Sequence, residues 1–89
     1  MEAKEIGEHI KRIIGDVANL DPAQIDDKAS FIEDLELDSL SLLEIGVDID
    51  YQFKLGVPDE RLKELRSVED AIALVQQVRS EKQAANEGG

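Results

Sequence analysis

Ile6, Ile10, Ile13, Ile14, Val17 and Leu20 recur at spacings of three and four, the signature of an amphipathic helix over roughly residues 3–20. A helix with one apolar stripe must cover it with other elements, so the remaining sequence has to supply partners of the same kind. The material for a core is narrow. Phe31, Tyr51 and Phe53 are the only aromatic residues among 89, which leaves Ile, Leu and Val to fill the interior of a single small domain with a marginal core.

Further along, Asp21-Pro22 stops the first helix, because a residue before proline is pushed out of the α region. Residues 21–38 then read as a long connection, pinned to the core by Ile25, Phe31, Ile32 and Leu35. Asp38 is a good N-cap for a second helix that starts at Ser39 and is broken by Gly56-Val57-Pro58-Asp59. Glu60–Leu65 is long enough only for a short third helix. Ser67-Val68-Glu69-Asp70 resembles a capping box with Asp in its last position, opening a fourth helix that buries Val68, Ala71, Ile72, Val75 and Val78. The expected fold is all-α: a small four-helix bundle of three longer helices and one short one, with a long loop between the first two. The division is a helical domain over 1–80 and a small, polar, flexible tail over 81–89.

One segment resists that reading. From Leu43 to Phe53 every odd position is apolar or aromatic, and Glu44, Gly46, Asp48, Asp50 and Gln52 alternate with them. Alone, this period-two pattern is that of a strand. No second strand-like run exists to pair with it, a lone strand leaves its backbone groups unpaired, and the Asp38 cap points to a helix. At helical steps of about 100°, Leu42, Ile45, Ile49 and Phe53 share one face. Leu40, Leu43, Val47 and Tyr51 fall on nearly the opposite face, with Glu44 and Asp48 on one flank and Asp50 on the other. Either both stripes are buried, as in a central helix, or the second is a docking surface. A chain this short has little mass to cover both, which favours docking.

Charge sharpens the site. The net charge is −11, and ten of those excess negative charges lie between residues 21 and 60. Such a field repels nucleic-acid phosphates and steers the chain toward basic protein surfaces. Within it, Asp38-Ser39-Leu40 places one hydroxyl at a helix N-terminus, where backbone N–H groups and the helix dipole favour a phosphate. The stretch Phe31-Ile32-Glu33-Asp34-Leu35-Glu36-Leu37-Asp38-Ser39-Leu40 resembles the one that carries the prosthetic group in acyl carrier proteins, and the resemblance extends over nearly the whole chain.

That resemblance implies that Ser39 is the attachment point of 4′-phosphopantetheine, transferred from coenzyme A by a phosphopantetheinyl transferase with magnesium, and that Asp38 caps the helix and assists loading. It further implies that Leu40, Leu43, Glu44, Val47, Asp48 and Tyr51 contact acyl-transferring, condensing and tailoring enzymes through basic docking patches. A carried chain would be sheltered by Leu42, Ile45, Ile49, Leu62, Leu65 and Ile72. The chain would be a monomeric carrier for fatty acid, polyketide or related lipid biosynthesis, not an enzyme. Three positions depart from the usual pattern. Ser41 replaces an acid, Tyr51 stands where an acid is common, and Gly46 stands where a branched apolar residue is usual. Gly46 costs about 1 kcal/mol relative to alanine inside a helix, so it either widens an acyl cavity or lets another helix approach closely. The two glycines that usually precede the serine in peptidyl carriers are absent. An aminoacyl or D-alanyl carrier of the same fold, or an unmodified acidic helical adaptor, remain the alternative readings.

Other chemistries fail on pattern. A hydrolytic Ser39 needs a base, but the single histidine, His9, lies on another helix and reads as a surface residue, and the Gly-x-Ser-x-Gly elbow is absent. Asp34, Glu36 and Asp38 alternate like calcium ligands, yet Ser39 occupies the loop-glycine position and Ile45 the closing-acid position. No metal site is expected. Gly88-Gly89 has no ubiquitin-like sheet behind it. There is no cysteine for a disulfide or thiolate site, no signal-peptide pattern, and no apolar run near the roughly 18 residues of a membrane span. A cytoplasmic protein without membrane insertion is the expectation.

Overall fold

A computed structural model describes residues 2–88, with side chains over 2–81. It contains four helices: α1 (Ala3–Ala18), α2 (Ser39–Phe53), α3 (Asp59–Lys63) and α4 (Val68–Gly88). The long connection carries one short 3-10 turn, Pro22–Gln24. The all-α bundle with one short helix is therefore as expected, and the segment 43–53 is helical throughout. The boundary anticipated at residue 80 falls inside α4, and the side chains from 82 onward lie outside the described residues.

Branched aliphatic side chains build one continuous core. Ile6, Ile10, Ile13 and Ile14 from α1 meet Leu42, Ile45, Ile49 and Phe53 from α2, Leu62 from α3, and Val68, Ala71, Leu74, Val75 and Val78 from α4. Burying one such side chain is worth about 1.5–3 kcal/mol, which is how so small a chain offsets its ordering entropy. Ile72 packs against this cluster from a partly buried position, and Leu74 is an additional buried member.

The ends of α1 and α2 are set by left-handed residues that are not glycine. α1 stops at Ala18 rather than residue 20 because Asn19 turns left-handed (φ 59°) and both its N–H and that of Leu20 bond to the Gly15 carbonyl. Leu20 is thereby carried off the apolar stripe and left 38% exposed. α2 ends the same way: Lys54 is left-handed (φ 54°), and Lys54 and Leu55 donate to the Asp50 carbonyl. The Asp50 side chain completes this turn by accepting the N–H groups of Gly56 (2.8 Å) and Val57 (3.2 Å). α3 occupies 59–63 rather than 60–65, with Pro58 before it and no side-chain cap.

The 21–38 connection is tied to the start of α4. Phe31 N–H donates to the Arg66 carbonyl at 2.8 Å, Glu69 N–H to the Asp27 carbonyl at 3.0 Å, and Ser30 and Ser67 form an antiparallel bridge. Lys11 pairs with Asp27 at 2.5 Å, adding a link to α1. The α4 cap differs from a standard capping box by one residue. Ser67 Oγ accepts the Asp70 N–H, but the Asp70 carboxylate reaches back to the N–H of Arg66. Of the four residues expected to pin the loop, Ile25 and Phe31 are buried and Leu35 partly so, but Ile32 is 56% exposed, and Leu37 is the residue buried instead.

Candidate functional site: the start of α2

Asp38 has extended backbone (φ −88°, ψ 175°), and its Oδ1 accepts the Ser41 N–H at 2.7 Å while its carbonyl accepts the Leu42 N–H at 2.9 Å. This is the N-cap read from the sequence. The Ser41 N–H, and after it the Ser41 hydroxyl, hold the Asp38 carboxyl below the ordinary carboxylate range; desolvation opposes them and the Leu40 N–H adds a smaller lowering. Asp38 is thus an anion fixed on the positive end of a 15-residue helix. Ser39 is the first helical residue and is solvent-exposed.

The corner that presents Ser39 is closely hydrogen-bonded. The Phe31 carbonyl accepts the Leu37 N–H at 2.9 Å, closing 31–37 into a loop whose ends are anchored by two buried side chains. Inside it, the Asp34 carboxylate takes the Ser30 N–H at 2.7 Å, and Ser30 Oγ takes the Glu33 N–H at 3.2 Å. Glu36 adopts φ +55° to redirect the chain into the cap. These contributions were not foreseen. Serine and aspartate spaced four apart are turn formers, so the Ser30–Asp34 turn had a sequence signal. The left-handed Glu36 had none, because glutamate is not a residue type that favours that conformation.

The proposed partner residues do share the outward face of α2. Leu40 (67%), Val47 (44%) and Tyr51 (82%) are exposed, Glu44 and Asp48 are exposed beside them, and Leu43 is half-buried. The opposite stripe is buried, so α2 carries two apolar faces of which one faces solvent. Asp50, placed on a flank by the sequence, is engaged in the turn after α2. The residues expected to shelter a carried chain are core residues: Leu42, Ile45, Ile49, Leu62 and Leu65 are buried and Ile72 partly so. Gly46 sits in the seam between α2 and α3. A Cβ on it would lie 2.9 Å from Leu62 Cβ, so of the two roles considered, the geometry supports close approach of another helix.

Nothing near Ser39 equips it as a nucleophile. His9 donates through Nε2 to the Gln52 side-chain carbonyl and packs against Phe53 with the rings tilted by 58° and their centroids 5.0 Å apart. Gln52 is thirteen residues along α2 from Ser39, about 20 Å at helical rise. Among the described residues no group of three or more His, Asp and Glu is placed to hold a metal ion, and no helix is long and apolar enough to cross a membrane.

The fold and site therefore define a small helical protein that displays one hydroxyl on a capped helix start, beside an acid-rimmed apolar face and without a catalytic base. Residues 8–75 match the family model described as a phosphopantetheine attachment site, and the chain belongs to that family. It is 38% identical over 73 residues to the acyl carrier protein of Thermobifida fusca, covering 82% of this chain and 92% of that one. It is 38% identical over 78 residues to the meromycolate extension acyl carrier protein of Mycobacterium tuberculosis, covering 88% and 68%. It is 36% identical over 78 residues to the acyl carrier protein of Rhodococcus erythropolis, covering 88% and 86%. The chain is accordingly a carrier on which other enzymes act, not a catalyst.

Proposed function

We propose that Ser39 Oγ forms the phosphodiester to 4′-phosphopantetheine and that the chain delivers acyl intermediates to enzymes of lipid biosynthesis. The observation that supports this most directly is the exposure of Ser39 at the first position of α2, immediately after an N-cap that leaves its hydroxyl unencumbered. The residues present fit the group. The hydroxyl faces solvent on a helix N-terminus whose dipole favours the phosphate charge, and Asp38 keeps the first turn closed by binding the Ser41 N–H. When bound, the arm supplies a terminal thiol that carries acyl groups as thioesters.

The chain's own residues do the rest. Asp38 stays ionised and holds the helix start in register during loading by a phosphopantetheinyl transferase. Leu40, Leu43 and Val47 offer apolar contact, Glu44 and Asp48 meet basic rims on partner enzymes, and Tyr51 extends the surface toward the end of α2. A carried chain would enter between the helices beside Leu42, Ile45, Ile49, Leu62, Leu65 and Ile72. The relatives named meromycolate extension acyl carrier proteins support a lipid cargo. The setting of such a carrier is cytoplasmic and the chain acts as a monomer.

Intact mass after co-expression with a promiscuous phosphopantetheinyl transferase tests the reading. Wild type should gain the mass of one arm, and Ser39→Ala should gain none. An unmodified wild type, or a Ser39→Ala chain that still gains the arm, would sink it.

A further inference from the structure

α3 closes onto α2 through one seated side chain. A Cβ on Gly46 would lie 2.9 Å from Leu62 Cβ, 3.5 Å from Leu62 Cγ and 3.7 Å from Leu62 Cα, so the α3 backbone itself packs against the glycine. Leu62 is 1% exposed, and Ile45 and Ile49 beside Gly46 are fully buried. A close-packed seam of this kind holds no slot for further carbon atoms. Ile72 is seated in a similar way across α1, where a Cβ on Gly7 would lie 3.1 Å from Ile72 Cδ1. That contact is with the free end of a side chain, which rotation withdraws, whereas Leu62 Cβ moves only with α3.

Lifting α3 leaves its own backbone bonds intact. The helix has five residues and no side-chain cap. Arg61 N–H donates to the Pro58 carbonyl, Glu64 N–H to the Arg61 carbonyl and Leu65 N–H to the Leu62 carbonyl, and none of these bonds reaches α2. Opening the seam withdraws the Leu62 side chain from the core, a cost that is the same whatever enters. The gain rises with the length of what enters, since each buried methylene multiplies the sheltered over the exposed population about fourfold. A fixed cost against a growing gain makes a threshold. A chain that places fewer than about four carbons in the seam, the size of the leucine side chain, does not replace what Leu62 gives up.

We infer that Leu62 sets which acyl chains this carrier shelters: seated on Gly46, it shuts the seam between α2 and α3 to short acyl groups, which stay in solvent on the arm, and yields only to long-chain ones. This rests on the carrier reading and narrows the sheltered cargo to a class. Gly46 and Leu62 act as a pair, the glycine supplying the notch and the leucine the plug.

The test loads acylated arms onto Ser39 with a purified promiscuous transferase and straight-chain acyl coenzyme A thioesters from butyryl to hexadecanoyl. The urea midpoint of each acyl form is compared with that of the same variant bearing the unacylated arm, so that stability lost by substitution cancels and only the sheltering of the chain is read. Wild type should show no rise with butyryl and a clear rise with dodecanoyl. Leu62→Ala should bring the onset to chains about three carbons shorter, the number removed from the plug. Leu62→Val, the milder change, should fall between the two and carries the test if Leu62→Ala does not fold. A rise already complete with butyryl in wild type, no rise at any length, or an onset unmoved in the variants would overturn the inference. The carrier reading fails differently, through a wild-type chain that never acquires the arm.

Discussion

Adding one methyl group at Gly46 separates two opposed effects whose sizes can be compared. Alanine there should gain about 1 kcal/mol from helix propensity. The same methyl carbon would sit 2.9 Å from Leu62 Cβ and 3.5 Å from Leu62 Cγ, closer than two carbons can pack. Leu62 Cβ is tied to the α3 backbone, so relief requires moving α3 rather than rotating a side chain. Overpacking of this kind costs about 1–3 kcal/mol. The net expectation for Gly46→Ala is a loss of about 0–2 kcal/mol, and for the bulkier Gly46→Val a larger loss, measured by urea unfolding with the slope held constant. Leu62→Gly alone should cost more than the ~2–5 kcal/mol of a leucine-to-alanine cavity, since it also loses helix propensity, but it removes the clashing Cβ, so in that background Gly46→Ala should regain most of its propensity benefit. The cycle should therefore show a coupling of at least about 1 kcal/mol. A Gly46→Ala protein stabilised by the full propensity gain, together with additive double-mutant energies, would refute the close approach of α3 and return Gly46 to the cavity role.

Two further outcomes follow from the corner that presents Ser39. Glu36→Gly should stabilise the fold by about 0.5–1 kcal/mol, since glycine takes φ +55° without the steric cost borne by glutamate; a loss of similar size in the unfolding midpoint would mean that residue 36 is not left-handed. Asp38→Ala should lower the thermal midpoint at neutral pH by removing the cap, while Asp38→Asn, which keeps an acceptor oxygen, should lower it less. The folded-state pKa of Asp38 lies below its ordinary value, so its charge-dependent stabilisation is present above the ordinary carboxylate pKa and disappears as pH falls through the lowered one. The difference between wild type and Asp38→Asn should accordingly close as pH falls below the ordinary carboxylate range, and a difference that persists unchanged there would show that the charge contributes nothing.

What could be read from the sequence follows from where periodicity exists. α1 declares itself because one face is buried and the other wet, and its spacing of three and four survives to Val17. Its end does not, since Asn19 and Leu20 look as helical as their neighbours until the Gly15 carbonyl is found to accept both their N–H groups. The loop has no period at all. Ile32 and Leu37 are equally apolar there, and only the Phe31–Leu37 hydrogen bond, a tertiary feature, decides that Leu37 goes in and Ile32 stays out. The short α3 is announced by the Gly56–Asp59 break before it, but its span, 59–63 rather than 60–65, is not, because it is held by Leu62 against Gly46 rather than by a side-chain cap of its own.

The ambiguity of residues 43–53 and the function of the chain have the same cause. A helix that packs on one side shows a single apolar stripe and a clear helical period. α2 has to fill the core with Leu42, Ile45, Ile49 and Phe53 and also display Leu40, Val47 and Tyr51 to solvent, so apolar residues occur on two faces and their spacing drifts toward two. The strand-like alternation is the trace of a second, unsatisfied face. Nothing in folding energetics rewards leaving that face wet, whereas the docking proposed for it would. The local cue that restored the helical reading, Asp38 ahead of Ser39, is also the feature that positions the hydroxyl. In this chain the residue that starts the helix and the residue proposed to carry the cargo are neighbours, so the capped helix start positions the proposed attachment site directly.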